Sequence, residues 1–154
     1  MILFSCWINR RFESKEGHLM LTENNIVDFV SKYLEKDGCT ITQALNTKQQ
    51  GIDIVAEHPQ KGYCFVEAKG ATSSKKGSSR YGKEFNSSQI RTHMGVAILK
   101  SFQTLQLHPT SQVAIALPNN KGHRGIIDSM QLPIRNSGIR VYLVNEDGSV
   151  EVYI

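Results

Sequence analysis

Apolar positions first fall into register at Ile26, Val27, Val30, Tyr33 and Leu34, the spacing of one helix face. Thr22 offers an N-cap ahead of Glu23, and Asp37-Gly38 supplies a stop, so the pattern predicts a helix ending at Lys36. The period then changes. Cys39 to Leu45 has strand character and enters the sheet first, and Asn46 to Gln50 is a polar connection. Two apolar runs follow, Gly51 to Ala56 and Tyr63 to Gly70, separated by His58-Pro59-Gln60-Lys61-Gly62. Pro and Gly between β-branched and aromatic residues predict a β-hairpin, with Glu57 at its turn. Helical spacing returns from about Ser87 to Gln103, with Ile90, Met94, Ala97, Ile98 and Phe102 as the apolar face. Gln112 to Leu117 reads as a buried strand ended by Pro118, and a helix over roughly Arg124 to Met130 leads to a strand over Ile139 to Val144. Asp147-Gly148 turns the chain into a last strand, Val150 to Ile154. Residues 1–20 have no clear period; they are expected to form an extra strand or a docked arm, with Phe4, Trp7 and Phe12 available for packing.

The predicted order is helix, three strands, helix, strand, then a further helix and C-terminal strands, an α/β arrangement. No repeat, linker or low-complexity tract divides the 154 residues, which suit a single domain with a core of its own. A hydrophobic fraction of 40% with 21% charged residues is ordinary for a globular chain, and the net charge of +4 leans towards a polyanionic partner. The three cysteines lack metal-ligand spacing; Cys39 and Cys64 lie in apolar contexts and are expected to be buried free thiols of a reducing compartment. The apolar opening from Met1 to Ile8 is too short to span a bilayer, and Arg10-Arg11 follow it where a leader would have them first. A cytoplasmic protein without a membrane partner is expected.

The chemistry lies in what interrupts the apolar runs of the hairpin. Asp53 sits between Ile52 and Ile54, where burial of a carboxylate is costly without compensation. Alternation along the second strand puts Glu67 and Lys69 on one face with Tyr63 and Phe65, and Cys64, Val66 and Ala68 on the other. Two carboxylates and an ammonium converging across one hairpin look like half of a divalent-metal site, since Asp and Glu oxygens are hard ligands and a lysine can orient water or offset phosphate charge. The competing reading is a surface hairpin whose charges only pair with each other, as in a protein-interaction domain. Gly70 to Arg80 is rich in Gly and Ser and predicts a mobile loop. It and its flank carry Lys75, Lys76, Arg80 and Lys83, which are either solvated or grip phosphates without reading sequence. Gln89 and His93 share one face of the second helix.

Asp53, thirteen intervening residues and then Glu67-Ala68-Lys69 with a Gly behind, on a Gly-Ile-Asp strand start, resemble the PD-(D/E)xK nuclease superfamily. That group includes restriction endonucleases, Holliday-junction resolvases and repair nucleases. The resemblance spans roughly Thr22 to Ala116, with Ile52 where the family usually has Pro. It implies a restriction-endonuclease-like core, a central mixed β-sheet flanked by helices, and a metal-dependent DNA endonuclease of repair, recombination or restriction. By the same resemblance Asp53, Glu67 and the backbone carbonyl of Ala68 hold Mg²⁺ or Mn²⁺, Lys69 acts on the attacking water, and Gln89 helps hold water or substrate. Glu23, on the first helix, matches a place where the family often has another acidic ligand; a Glu in a first helical turn also favours the helix dipole on its own. A homodimer is common among such small nucleases. A catalytically silent DNA-binding member of the same fold is the nearest alternative.

Overall fold

The computed structural model describes residues 20–154, so the arm expected at the N-terminus, with Phe4, Trp7, Phe12 and Cys6, lies outside the described residues. Helix α1 (Glu23–Lys36) starts at Thr22, whose hydroxyl accepts from the Asn25 amide at 3.2 Å while the Asn25 side chain accepts from the Thr22 amide at 3.0 Å. This reciprocal cap satisfies two of the orphan donors at the helix start. Strands β1 (Thr40–Ala44), β2 (Ile54–His58) and β3 (Gly62–Ala68) follow, then α2 (Ser87–Leu107), β4 (Gln112–Pro118), α3 (Lys121–Ser129), α4 (Gln131–Ser137), β5 (Arg140–Val144) and β6 (Val150–Val152).

One six-stranded sheet takes its strands in chain order, β1 to β6. The β1–β2, β2–β3 and β5–β6 pairs are antiparallel, whereas β3–β4 and β4–β5 are parallel, so the sheet is mixed as expected. Parallel neighbours need crossover helices; α2 makes the first crossover, and α3 with α4 the second. The α1 side buries Ile26, Val27, Val30 and Leu34 on Ile54, Val66 and a floor of Ala56, Ala68, Ala114 and Ala116. Small side chains there let the helix lie close to the strands. The opposite side packs Ile90, Met94 and Ala97 of α2 and Ile127 and Ile134 of α3 and α4 against Ile115, Leu117, Val141 and Leu143. Alternation along β4 and β5 thus feeds two cores from the same strands.

Several expectations shift. Asp53 lies just ahead of β2 and not inside the strand, and Glu57 is a strand residue paired with Tyr63, because residues 59–61 suffice for the turn and Gly62 takes φ +76°. Helix α2 runs one turn further than expected and buries Ser101, leaving Phe102 half exposed. Cys64 is buried, but Cys39 is only half-buried. Helix α4 was not foreseen; Pro133 reads as a breaker but falls in a first turn, where its missing N–H costs nothing. No helix of the described residues is long and apolar enough to cross a membrane.

The Gly/Ser segment is a loop tied down at both ends. Ala71 and Thr72 are buried, the Phe85 amide donates to the Ala71 carbonyl at 2.9 Å, and the Thr72 hydroxyl donates to the Arg80 carbonyl at 2.9 Å. Its root is stitched to α1: the Ala71 amide donates to the Leu21 carbonyl at 2.7 Å, and Thr72 bridges Thr22. Gly70 makes this approach possible, since a Cβ there would stand 2.4 Å from the Glu23 nitrogen. Gly70→Ala should therefore lower unfolding stability by about 1–3 kcal/mol through forced backbone displacement. Gly77→Ala, in open space on the same loop, should be near neutral. Urea denaturation of both variants checks this, and equal stability of the two would refute the close-approach argument.

Candidate functional site

The site forms where β3 outruns its partner. β2 begins at Ile54, which pairs with Val66, so Glu67 and Ala68 extend past the end of that ladder. Continuing the register by one residue sets Asp53 opposite Glu67. In place of a backbone carbonyl, the Asp53 carboxylate takes the Ala68 amide, at 2.7 Å. An extended residue turns its N–H and C=O to the same side, so the Ala68 carbonyl faces the gap that Asp53 occupies. The next residue is held from the other flank, where the Lys69 amide donates to the Ala116 carbonyl at 3.0 Å.

Glu67 is 5% exposed, and one of its oxygens, Oε1, receives Lys69 Nζ at 2.6 Å and Lys100 Nζ at 2.8 Å. Lys69, 9% exposed, also reaches Glu23 Oε2 at 3.9 Å. The structure thus brings together Asp53, Glu67, Lys69 and Glu23, and adds Lys100, which sequence reasoning missed. Its signal was faint: Lys100 lies seven residues after His93 and beside the buried Ala97–Ser101 stripe, hence on a flank of α2 that can face the sheet.

Three carboxylates and two ammonium groups share this corner. Burial first, then the Glu67 charge, raise the Asp53 carboxyl from 3.8 to about 6, against the pull of the Ala68 amide and Lys69. Glu23 is raised mainly by burial, with Lys69 opposing. Burial pulls Lys100 down, but its hydrogen bond to Glu67 and the surrounding acids outweigh this and hold it high. His93 is lowered by burial and by the Lys69 charge, and its ring meets Phe85 edge-on at 4.6 Å.

Gln89 sits at the start of α2, and its side-chain oxygen accepts from the Asn86 amide at 3.0 Å, so that oxygen is engaged in a helix cap. Lys75, Lys76, Arg80 and Lys83 are exposed on the loop that leaves the site at Gly70. Among the described residues no three His, Cys, Asp or Glu side chains form a ready-made metal cage. Magnesium does not require one: it is commonly held by one or two carboxylates while keeping several waters. Asp53 Oδ1 and Glu67 Oε2 receive no hydrogen bond from a described residue, and with the Ala68 carbonyl they make a hard oxygen donor set suited to such an ion.

No family model and no curated protein matches the chain. Two solved structures share its fold. One is an XisH family protein from Nostoc punctiforme PCC 73102, with 20% identity, a TM-score of 0.51, and 86% of this chain and 98% of that chain covered. The other is an fdxN element excision controlling factor protein from Anabaena variabilis, with 20% identity, a TM-score of 0.51, and 83% and 96% covered. At 20% identity the likeness is one of fold.

The raised Asp53 carboxyl fixes a pH signature. A carboxyl that titrates higher when folded favours the folded chain below its unfolded value of 3.8, and the benefit is lost as pH rises through about 6. Asp53→Asn cannot titrate, so without metal it should melt above the wild type at pH 8. That advantage should shrink through pH 6 and vanish near pH 4. Thermal melts across this range check it, and parallel curves would refute it.

Proposed function

We propose that the chain is a metal-dependent DNA endonuclease that hydrolyses phosphodiester bonds. The observation that carries this reading is the convergence of Asp53, Glu67 and Lys69 at the open end of the β2–β3 ladder, next to a basic loop. A hairpin whose charges serve only surface pairing has no reason to bury Glu67 and Lys69, because exposed ion pairs contribute little and burial costs more. Of repair, restriction and recombination, recombination is favoured by the name of one fold neighbour, an excision controlling factor.

Asp53, Glu67 and the Ala68 carbonyl would hold Mg²⁺ or Mn²⁺, with Glu23 as a further acid at the rim. The ion, when bound, supplies polarisation of the scissile phosphate and a lowered pKa for the attacking water. The chain's own groups do the rest. The Ala68 amide aims the Asp53 carboxylate, and Glu67 keeps two ammonium groups within reach of the phosphate. Lys69 can turn from Glu67 to the attacking water or to the phosphate oxygens that gain charge, and Lys100 stays on Glu67 when it does. Water adds to phosphorus, the bond to the leaving sugar oxygen breaks, and a 5′- or 3′-phosphate results. Gln89 keeps its amide nitrogen for water or substrate. Lys75, Lys76, Arg80 and Lys83 supply affinity for the backbone, and a cytoplasmic homodimer is the working assembly we expect.

Substitutions separate the roles. Asp53→Asn should abolish cleavage and weaken Mn²⁺ binding in calorimetry, while DNA binding in EDTA persists. Lys69→Ala should keep Mn²⁺ binding and slow the chemical step about a hundredfold or more. Unchanged cutting by both variants would place the activity elsewhere. A protein that binds DNA in EDTA but never cuts with either ion is the catalytically silent alternative.

The loop is tested by salt. Replacing Lys75, Lys76 and Arg80 with Ala should weaken duplex binding and reduce the slope of log affinity against log salt by roughly one unit per lost phosphate contact. An unchanged slope would mean that the loop does not grip DNA.

A further inference from the structure

A cavity of about 260 Å³ opens between α2 and the β2–β3 end of the sheet, lined by Phe65, Glu67, Lys100, Ser101, Thr104 and Leu107 among others. Glu67 and Lys100 belong at once to this cavity and to the acidic centre. Ser101 is only 1% exposed, and its hydroxyl has no hydrogen-bond partner.

We propose that this cavity receives one unpaired nucleobase beside the phosphate held at the acidic centre, so that the substrate is DNA with an unpaired or flipped-out nucleotide at the cut. This rests on the nuclease reading. Phe65 is held in a row of rings, 6.1 Å from Tyr63 at 20° and 4.4 Å from His108 at 29°, so its orientation is fixed before any ligand arrives. Bases stack on such rings whatever their identity. Thr104, half-buried at the rim, donates its hydroxyl to the Lys100 carbonyl at 2.9 Å and can still accept from a base edge. The pairing of apolar walls with a few polar groups suits a planar heterocycle. The volume lies just below the roughly 300 Å³ at which pockets for larger ligands begin, which admits one base and excludes a base pair. A stacked duplex keeps its bases from such a site, so the nucleotide must be single-stranded or extruded.

The test uses the full chain in EDTA with duplexes carrying 2-aminopurine either paired or in a one-base bulge. The bulged probe should bind roughly tenfold tighter than the paired one and lose emission on stacking. An abasic nucleotide in the bulge should remove the preference. Ser101→Leu, which fills the cavity, should also remove it while leaving affinity for the paired duplex as it was. Thr104→Leu, at the half-buried rim, is the second variant should Ser101→Leu fail to fold. Equal binding of bulged base and abasic bulge, or a preference that survives both cavity variants, would overturn the proposal. Because no metal is present, these outcomes are independent of cleavage. A chain that shows the preference but never cuts with Mn²⁺ refutes the nuclease reading alone, and one that cuts without the preference refutes only the base pocket.

Discussion

The hydrogen bond from the Ala68 amide to the Asp53 carboxylate is the contact on which the site depends. It exists because β2 starts too late to pair with the end of β3. A buried strand residue beyond its ladder must find a partner for its N–H, and here a side chain takes the place of a backbone carbonyl. That substitution holds the carboxylate at the end of β3, where the Glu67 charge acts on it. It also turns the Ala68 carbonyl towards the same gap, so three oxygen donors arise from a single shortfall in strand pairing. Gly70 completes the corner by letting the start of α1, and with it Glu23, lie against the chain as it leaves β3.

The electrostatic arrangement at this corner is costly to bury. Glu67 is nearly inaccessible and places two ammonium groups on one oxygen, while Asp53 and Glu23 are pushed upward by burial. Replacing buried ion pairs with apolar groups often costs nothing or stabilises. Glu67 and Lys69 are the two buried charges of this corner, and removing either partner would leave the other buried and uncompensated. The two lysines hold the acids in balance; in the function we propose, a divalent cation would take over that balance and leave their charge for a phosphate.

Local pattern made part of this legible. Period-two alternation placed Glu67 and Lys69 together and sent Cys64, Val66 and Ala68 to the opposite, packed face, which the structure covers with α1. The cap at Thr22, the strands and the two long helices follow from spacing and stop signals that act over a few residues. What escaped depends on partners distant in sequence. Lys100 becomes part of the site only because α2 crosses β3, and nothing within the helix marks it apart from a neighbouring buried stripe. Asp53 reads as a strand residue because its flanks are apolar, yet the chain at Gly51 takes φ +138° and joins the ladder only at Ile54. The loop after Gly70 reads as untethered by composition, whereas two buried residues and a backbone bond to Phe85 close it.

The topology explains why the corner is open at all. In α/β sheets, ligands collect beyond the carboxyl ends of parallel strands, in a crevice at a point where the connections diverge to opposite faces. Here the strands run in chain order, so no such divergence occurs among β3, β4 and β5. The opening comes instead from the seam between antiparallel and parallel pairing at β3, whose carboxyl end meets the beginning of β2. Donors from both ends of one hairpin meet there. α1 covers one side of the sheet and α2 the other, and among the described residues the loop from Gly70 to Phe85 and the cavity beside Ser101 both adjoin the charges. The corner thus has a basic loop on one flank and a largely apolar recess on the other, which on the reading we propose would serve the backbone and the base of a nucleotide.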